Sequence, residues 1–272
     1  MTLLPISAGR CARSGRRGWN LHEFGQQIAY HPAAISRVET GKRPPTESFA
    51  DQCDRVFAER GGWFHEFWEE SRGWMALPAW LRDWASHEQS THVLRDWCPG
   101  TLTGLLQTED YAREVSALTP MVTEDEVGAR VAARMARQQR VLLRDDAPPA
   151  AWFLIDYFAL LRAIGTQQVM AAQLRHLAAV AGMPHVTVQV VPGCGHAGLA
   201  GGFTVTDHAA YAESVIRGQV FEDAETVSSL SVRFDTLRGS ARSVPESMSL
   251  IRQAADLWTG AGRHTASRTG TA

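Results

Sequence analysis

The chain has 272 residues, of which 44% are hydrophobic, and its four cysteines form no CxxC pair. This size favours two globular units; there is no run of about 18 apolar residues to span a membrane, and no cysteine pattern of a disulfide framework or zinc site. The formal net charge is −2, yet residues 1–45 hold seven Lys or Arg against two Glu, so this segment carries +5 and the remainder −7.

A basic head on an acidic body suggests a polyanion as the partner of the head. The alternative is a solvated basic terminus without a ligand. The first twenty residues contain four arginines in place of the apolar centre of an export signal, so we expect a cytoplasmic protein.

The first predicted helix begins after Asn20. Leu21, Phe24 and Ile28 recur at a spacing that places them on one helical face, and Glu23 follows Asn20 at the distance of a capping box. The sequence therefore predicts a short amphipathic helix that starts at Leu21.

A second helix is predicted from Pro32 to Thr40, after a turn at Tyr30-His31. Proline suits the first position of a helix, because its missing N–H has no helical partner there. Ile35 and Val38 form the inward face, and the glycine at position 41 provides the C-terminal cap.

The run from Ala34 to Pro45 (AISRVETGKRPP) resembles the signature of Xre/Cro-type helix-turn-helix regulators. The resemblance implies that the helix over 32–40 is a recognition helix, which lays its N-terminal side chains in the major groove of DNA. The residues at the family's base-facing positions are His31, Pro32, Ala33, Ser36 and Arg37.

These side chains differ in what they can recognise. The planar fork of Arg37 can bond to the O6/N7 edge of guanine, whereas Ser36 is better suited to a phosphate. Lys42 and Arg43, just past the helix, are placed to neutralise phosphates and would contact every sequence alike. The alternative for Arg37 is an ion pair with Glu39 or a contact to a neighbouring helix.

The segment before the motif departs from the family. Residues 6–18 include three glycines and little apolar periodicity, so the long first helix is short, degenerate or absent. This leaves a second function open, a protein-interaction module with vestigial DNA binding. Apolar residues at 49, 53, 56 and 57 predict a last helix that ends at Gly61-Gly62, so the DNA-binding domain is expected over 1–62.

Residues 63–97 are rich in tryptophan and predict two amphipathic helices broken at Gly73 and Pro78. The tryptophans are interpreted as core or interdomain packing, with an aromatic ligand cage as the alternative.

Four later segments, at 104–113, 133–138, 173–177 and 186–192, resemble P-G-L-L-Q-T-x-x-Y-A-R, R-x-x-R-Q, Q-L-x-x-L and V-T-V-Q-V-L-P. These motifs mark an uncharacterised C-terminal domain of Xre-type regulators in actinomycetes, and the resemblance covers about 63–257. It implies an antitoxin-like regulator that binds double-stranded operator DNA as a homodimer, on the nucleoid when bound. It also implies a small neighbour-encoded protein as a second partner.

The rest of the body predicts a mixed sheet covered by helices. Helix 124–144 carries an arginine stripe, interpreted as a solvated face with an acidic partner or anion as the alternative. Strands are predicted at 152–155, 186–191, 203–206 and 214–217, with helices at 157–163 and 167–181. The predicted fold class is α+β: an N-terminal all-α helix-turn-helix bundle, a larger mixed α/β domain over 63–260, and a disordered tail over 261–272.

Only the glycine-rich segment 192–202 suggests chemistry. Cys194 and His196 are two residues apart, but a nucleophile and its base need an orienting acid, and the first acid beyond this segment is Asp207. The ligand spacing fits no zinc site and no phosphate loop. We therefore expect no enzyme, no metal and no cofactor, and a loop whose glycines let it cross the end of a sheet.

Overall fold

The computed structural model describes residues 19–39, 45–66, 68, 79–144, 147–214 and 217–260. The chain divides into two units between Arg82 and Asp83. The fold is α+β, with N-terminal helices before a larger region built on a six-stranded sheet, so the predicted class is confirmed. Among the described residues, no helix combines the length and apolar character needed to cross a membrane.

Three helices start the N-terminal unit: α1 (Leu21–Ile28), α2 (Pro32–Glu39) and α3 (Glu47–Val56). Asn20 accepts from the backbone of Glu23 while the Glu23 carboxylate accepts from the backbone of Asn20, which closes the predicted capping box. Their apolar faces meet in one core, whose fully or nearly buried members are Phe24, Ile28, Ile35, Val38, Phe49, Ala50, Cys53, Phe57, Phe64 and Trp68.

This core reaches beyond the domain end predicted at residue 62. Asp54 in α3 accepts hydrogen bonds from the backbone of Phe64 (2.9 Å) and His65 (2.8 Å), and it thereby caps the helical turn that follows Gly62. Phe64 and Trp68 then fill the same core as α1 to α3. The Gly61-Gly62 pair is a turn inside the unit, which explains why the division lies after Arg82. The predicted tail over 261–272 and the predicted degenerate segment over 6–18 lie outside the described residues.

The C-terminal unit is built on strands β1 (Val93–Cys98), β2 (Ala150–Asp156), β3 (Val186–Val191), β4 (Phe203–Val205), β5 (Ala210–Glu213) and β6 (Gly218–Phe221). They lie in the order β3-β2-β1-β4-β5-β6. The first three strands are parallel, and β4, β5 and β6 continue the sheet in antiparallel fashion. The sheet is therefore mixed, as predicted.

The strands predicted at 152–155, 186–191 and 203–206 agree with β2, β3 and β4, whereas β1, β5 and β6 were not predicted. β1 was not predicted, because Arg95 and Asp96 interrupt its apolar pattern. The strand predicted over 214–217 does not match a strand at either end: Ser214 and Arg217 lie between β5 and β6, where the Ser214 backbone donates to the carbonyl of Arg217 at 3.0 Å, and residues 215 and 216 lie outside the described residues.

Helices accompany the sheet: α4 (Ala79–Ser90), within which the two units divide, α5 (Glu109–Ala117), α6 (Glu124–Val141), α7 (Tyr157–Leu161), α8 (Gln167–Val180), α9 (Ala224–Ser240) and α10 (Val244–Thr259). Short 3-10 turns lie at Gly104–Leu106 and Ala197–Ala200. On one face of the sheet, Trp97, Leu154 and Phe203 pack with Phe234 and Leu237 of α9. Because side chains alternate along a strand, Asp96 belongs to the opposite face.

Candidate functional site

The turn between α1 and α2 is tight, and it brings the backbone of Tyr30 against Gly25. Ala29 adopts a left-handed φ of 56°, and the Tyr30 backbone donates to the carbonyl of Gly25 at 2.9 Å. A Cβ atom added to Gly25 would lie 2.4 Å from the Tyr30 carbonyl oxygen. The helix pair therefore needs glycine at position 25, where the chain doubles back over α1.

The first residue after this turn caps α2. The carbonyl of His31 accepts from the backbone of Ala34, and its ring Nδ1 accepts from the backbone of Ala33 at 3.2 Å. The ring bond requires an Nδ1 without a proton, so it belongs to the neutral ring protonated at Nε2. His31 thus fixes the start of α2 and remains exposed itself.

The predicted base-facing residues lie on the outer side of α2. Ile35, Val38 and Glu39 are buried, so the core fixes which side of the helix faces solvent. His31, Ala33 and Arg37 are exposed, while Pro32 and Ser36 are half-buried. Lys42, Arg43 and the predicted helix end at Thr40 lie outside the described residues.

Arg37 lies four residues after Ala33, so the two share one exposed helical face. The guanidinium offers five donors in a planar fork. Such a fork at the outer face of a short helix can contact a planar acceptor edge or a phosphate.

The loop 192–202 occupies the carboxyl end of the parallel strands. After β3 the chain must pass β2 and β1 to reach β4, because the strand order places these two between them. This bears out the prediction that the glycine-rich loop crosses the end of a sheet. In open sheets with parallel strands, that end is the usual ligand position.

The side chain of His196 fastens this loop to the sheet. Its Nδ1 accepts from the backbone of Gly198 (3.2 Å), so Nε2 carries the proton and donates to Asp156 Oδ2 (3.2 Å). The exposed fractions of the His196 and Asp156 side chains are only 2% and 7%. The Trp97 indole stands edge-on to the imidazole, and its Nε1 donates to the carbonyl of Gly198 at 3.0 Å.

This geometry bears on the Cys194–His196 pair considered from the sequence. Asp156, at the end of β2, is the acid that the local sequence lacked, but it occupies the nitrogen that a general base would need. Because Gly198 occupies the other nitrogen, neither can take a proton from Cys194, which is exposed. The His196–Asp156 pair therefore holds the loop against the sheet. Among the described residues, no group of His, Cys, Asp or Glu is arranged to hold a metal ion.

Three arginines of the predicted stripe, Arg134 and Arg137 in α6 and Arg144 just after it, bind groups of their own unit, so for these three the interpretation as a solvated face was wrong. Arg137 forms two hydrogen bonds to Glu88 of α4, whose side chain is fully buried. Arg134 donates to the amide oxygen of Gln107, and Arg144 donates to the backbone carbonyls of Gln89, Thr91 and Ala147.

These contacts hold the segment 104–108 in place. Gln138 donates to the carbonyls of Gly104 and Gln107, and Gln107 donates to the carbonyl of Leu102. From α8, Gln173 donates to Leu106 and accepts from Thr108. Gln107, Gln138 and Gln173 belong to three of the four sequence motifs described above. Together they provide hydrogen-bond partners for the backbone of one buried turn.

Two ionisable groups near Arg137, Asp96 and Arg134, have pKa values far from their ordinary ones. Burial raises the pKa of Asp96 to about 6, although hydrogen bonds from Thr204 and Thr103 and the charge of Arg137 oppose the rise. Burial, together with the neighbouring charge of Arg137, lowers the pKa of Arg134 to about 10. Perturbed groups of this kind occur at functional sites and in structural ion-pair networks alike.

The comparison with known proteins bears on this unit. The family model described as "Domain of unknown function (DUF5753)" matches residues 81–253, more than half of the 272 residues. The match includes β1 to β6, the loop 192–202 and the Glu88–Arg137 pair. No curated protein and no solved structure matches the chain. The chain therefore belongs to the family described as Domain of unknown function (DUF5753).

Proposed function

We propose that the chain is a sequence-specific DNA-binding transcriptional regulator of the antitoxin-like kind. In this proposal α2 enters the major groove and the C-terminal unit senses a partner protein or ligand. The observation that carries the proposal is the exposed outer face of α2, which holds His31, Ala33 and Arg37 on a short helix fixed by a tight turn.

The geometry of α1 and α2 supports this function in two ways. The core residues Ile35 and Val38 fix the rotation of α2 about its axis, so position 37 always lies on the exposed side of the helix. The half-buried Ser36 lies beside it, within reach of a backbone phosphate that comes close enough to touch Arg37.

The charge distribution supports it as well. Residues 1–45 carry a net charge of +5, which attracts a polyanion to the end of the chain that holds α2. Three arginines of the C-terminal unit, Arg134, Arg137 and Arg144, compete little for that polyanion, because they bind groups within their own unit.

The test is operator binding by the purified full-length chain, measured by fluorescence anisotropy on its own promoter with single base-pair substitutions. Arg37→Ala should abolish discrimination at one base pair, a loss of about 1–3 kcal/mol there. Lys42→Ala should weaken binding to every sequence by a similar factor. Arg55→Ala is the matched control, since Arg55 is an exposed arginine on α3 and not on α2, and it should leave the discrimination between base pairs unchanged.

The outcomes separate the two functions that the sequence left open. Equal effects of Arg37→Ala and Arg55→Ala would remove α2 from the role of recognition helix. Absence of binding to all promoter fragments, together with a stable complex when the neighbour-encoded protein is co-expressed, would favour the interaction module.

A further inference from the structure

One arginine in the buried cluster around Arg137 has no acidic partner. Arg137 itself forms two hydrogen bonds with the carboxylate of Glu88, and the charges of Glu88 and Asp96 both stabilise its guanidinium. Arg134 instead donates a single hydrogen bond, to the neutral amide oxygen of Gln107 at 2.5 Å. Within the described part of the chain, Arg134 makes no other hydrogen bond and has no carboxylate oxygen within 4.0 Å. Of its five N–H donors, these residues therefore use only one.

The charges around Arg134 make this imbalance larger. Burial, with the charges of Arg137 and Arg130, lowers the pKa of Arg134 to about 10. The carboxylate of Glu213 opposes this effect, but Glu213 is exposed, so water and salt screen its attraction. A half-buried cation between two other cations costs folding free energy unless an anion joins it. The surroundings of Arg134 therefore require one more negative charge.

The guanidinium groups of Arg134 and Arg137 flank one glycine. A Cβ atom added to Gly104 would lie 3.4 Å from Arg134 Nε and 3.4 Å from Arg137 Nη1, so these two nitrogen atoms lie within twice that distance of each other. Arg134 keeps part of its surface in contact with solvent. The two positive charges thus act on one small region that a ligand can reach.

This region lies next to the carboxyl end of β1. Gly104 belongs to the segment that follows β1, and Cys98, the last residue of β1, is close enough for its ionisation to act on Arg134. β2 and β3 lie on one side of β1 and β4 to β6 on the other, so the strand order reverses at β1. In sheets with parallel strands, ligands bind beyond the carboxyl ends of the strands at such a reversal.

We propose that Arg134 anchors a binding site for the carboxylate group of a small molecule, with Arg137 adding its charge from the other side of Gly104. The planar fork of an arginine matches the two oxygens of one carboxylate. A carboxylate also brings the single negative charge that Arg134 lacks. A phosphate monoester brings about two charges, so Glu213 repels it more strongly.

The site assigns a ligand class to the sensing role proposed for the C-terminal unit, and it rests on that role for its biological meaning. Binding itself is measured without DNA. Failure of operator binding therefore leaves the carboxylate site standing, and failure of carboxylate binding leaves the role of α2 standing.

The experiment is a titration of the full-length chain with sodium acetate at neutral pH, in protein labelled with nitrogen-15 at arginine. The side-chain Nε–Hε resonance of Arg134 is assigned by its loss in Arg134→Lys. Acetate should shift this resonance until it saturates, whereas sodium chloride at the same ionic strength should not. Sodium phosphate is the third titrant and should bind more weakly than acetate.

Denaturation by urea gives a second readout that needs no assignment. A ligand that binds only the folded state stabilises it, so acetate should raise the urea midpoint of the native chain relative to chloride. Arg134→Met should abolish this rise. Arg134→Lys keeps the charge but not the fork, and it should weaken acetate binding about tenfold, the loss of one charge-assisted hydrogen bond.

Arg113→Met is the matched control, because Arg113 lies in the same unit and already has Glu109 and Glu124 as partners. It should retain the full effect of acetate, and circular dichroism verifies that each variant is folded. An Arg134 resonance that acetate does not shift, or a rise in the urea midpoint that Arg134→Met retains, would overturn the proposal. Tighter binding of phosphate than of acetate would show that the ligand class is wrong.

Discussion

His196 and Arg137 show that residue type alone does not reveal the role of a polar side chain. Each is a common functional residue, and each here has its hydrogen-bonding groups turned to the protein's own atoms. Their partners Asp156 and Glu88 lie 40 and 49 residues away along the chain. Because such pairing is set by the fold, no local pattern could have predicted it.

Substitution of Gly25 tests how tightly the turn between α1 and α2 is packed. Gly25→Ala puts a Cβ 2.4 Å from a backbone oxygen that cannot move without opening the turn, so it should destabilise the N-terminal unit by about 1–3 kcal/mol. Hydrogen exchange of peptides from residues 19–39 measures this loss.

Gly128→Ala is the matched control. Gly128 lies within α6 with nothing within 4 Å of an added Cβ, so alanine should stabilise that helix by about 0.5–1 kcal/mol. Equal protection of residues 19–39 in the native chain and in Gly25→Ala would show that the turn can relax.

Asp96 should make the stability of the C-terminal unit depend on pH. Its folded-state pKa of about 6 exceeds the ordinary value of 3.8, so between these values the folded state holds a proton that the unfolded state has released. Stability therefore falls as pH rises from about 4 to about 6 and is constant above the folded pKa. The full loss is about 3 kcal/mol.

Asp96→Asn removes this titration and keeps an oxygen that can accept from Thr204. The free energy of unfolding of Asp96→Asn minus that of the native chain should rise by about 2–2.5 kcal/mol between pH 4 and 7, measured by urea denaturation at each pH. A difference that is flat over this range would show that Asp96 is ionised at its usual pH in the folded chain.

At the scale of elements, local signals predicted the ends of helices well. Asn20 with Glu23 starts α1, Pro32 starts α2, and the predicted strand over 186–191 agrees with β3. These signals are capping, proline geometry and continuous apolar runs, all of which act within a few residues. β1 escaped prediction because Asp96 is buried by partners on β4 and α6, which are remote in sequence.

The Glu88–Arg137 pair should dominate the contact between α4 and α6. Glu88 is fully buried, so Arg137→Met would leave a carboxylate without its partner and should destabilise the C-terminal unit by about 3–5 kcal/mol. The urea midpoint of the circular dichroism signal measures the loss.

The exposed Arg113–Glu124 pair, in which Nη1 and Oε1 are 2.8 Å apart, is the control for this change. Arg113→Ala should cost at most about 1 kcal/mol, because water solvates Glu124 once the arginine is gone. Similar midpoints for Arg137→Met and Arg113→Ala would contradict the assigned importance of burial.

At the scale of the whole molecule, the sequence placed the α+β class and the order of helical and mixed units correctly, because periodicity and strand–helix alternation are properties of composition along the chain. The boundary between the two units was harder to predict from the sequence. Gly61-Gly62 has the pattern of a domain end, yet Asp54 binds the backbone just beyond it. A single side-chain cap thus extended the N-terminal unit past a strong local stop signal.

The asymmetric charge of the chain leads to the last prediction. Binding to DNA releases counterions from each phosphate that a basic residue neutralises, so the logarithm of the binding constant should fall linearly with the logarithm of salt concentration, by about 0.9 per phosphate contact. Lys42→Ala and Arg43→Ala, which lie in the segment of net charge +5, should each lower this slope by about one contact per bound chain.

The acidic remainder supplies the control. Arg113→Ala removes the same charge from the segment of net charge −7, so it should change the affinity little and the slope not at all. Anisotropy titrations from about 50 to 200 mM KCl give both slopes. If all three variants shift the slope equally, the protein binds DNA through its overall charge, and the basic segment holds no defined phosphate contacts.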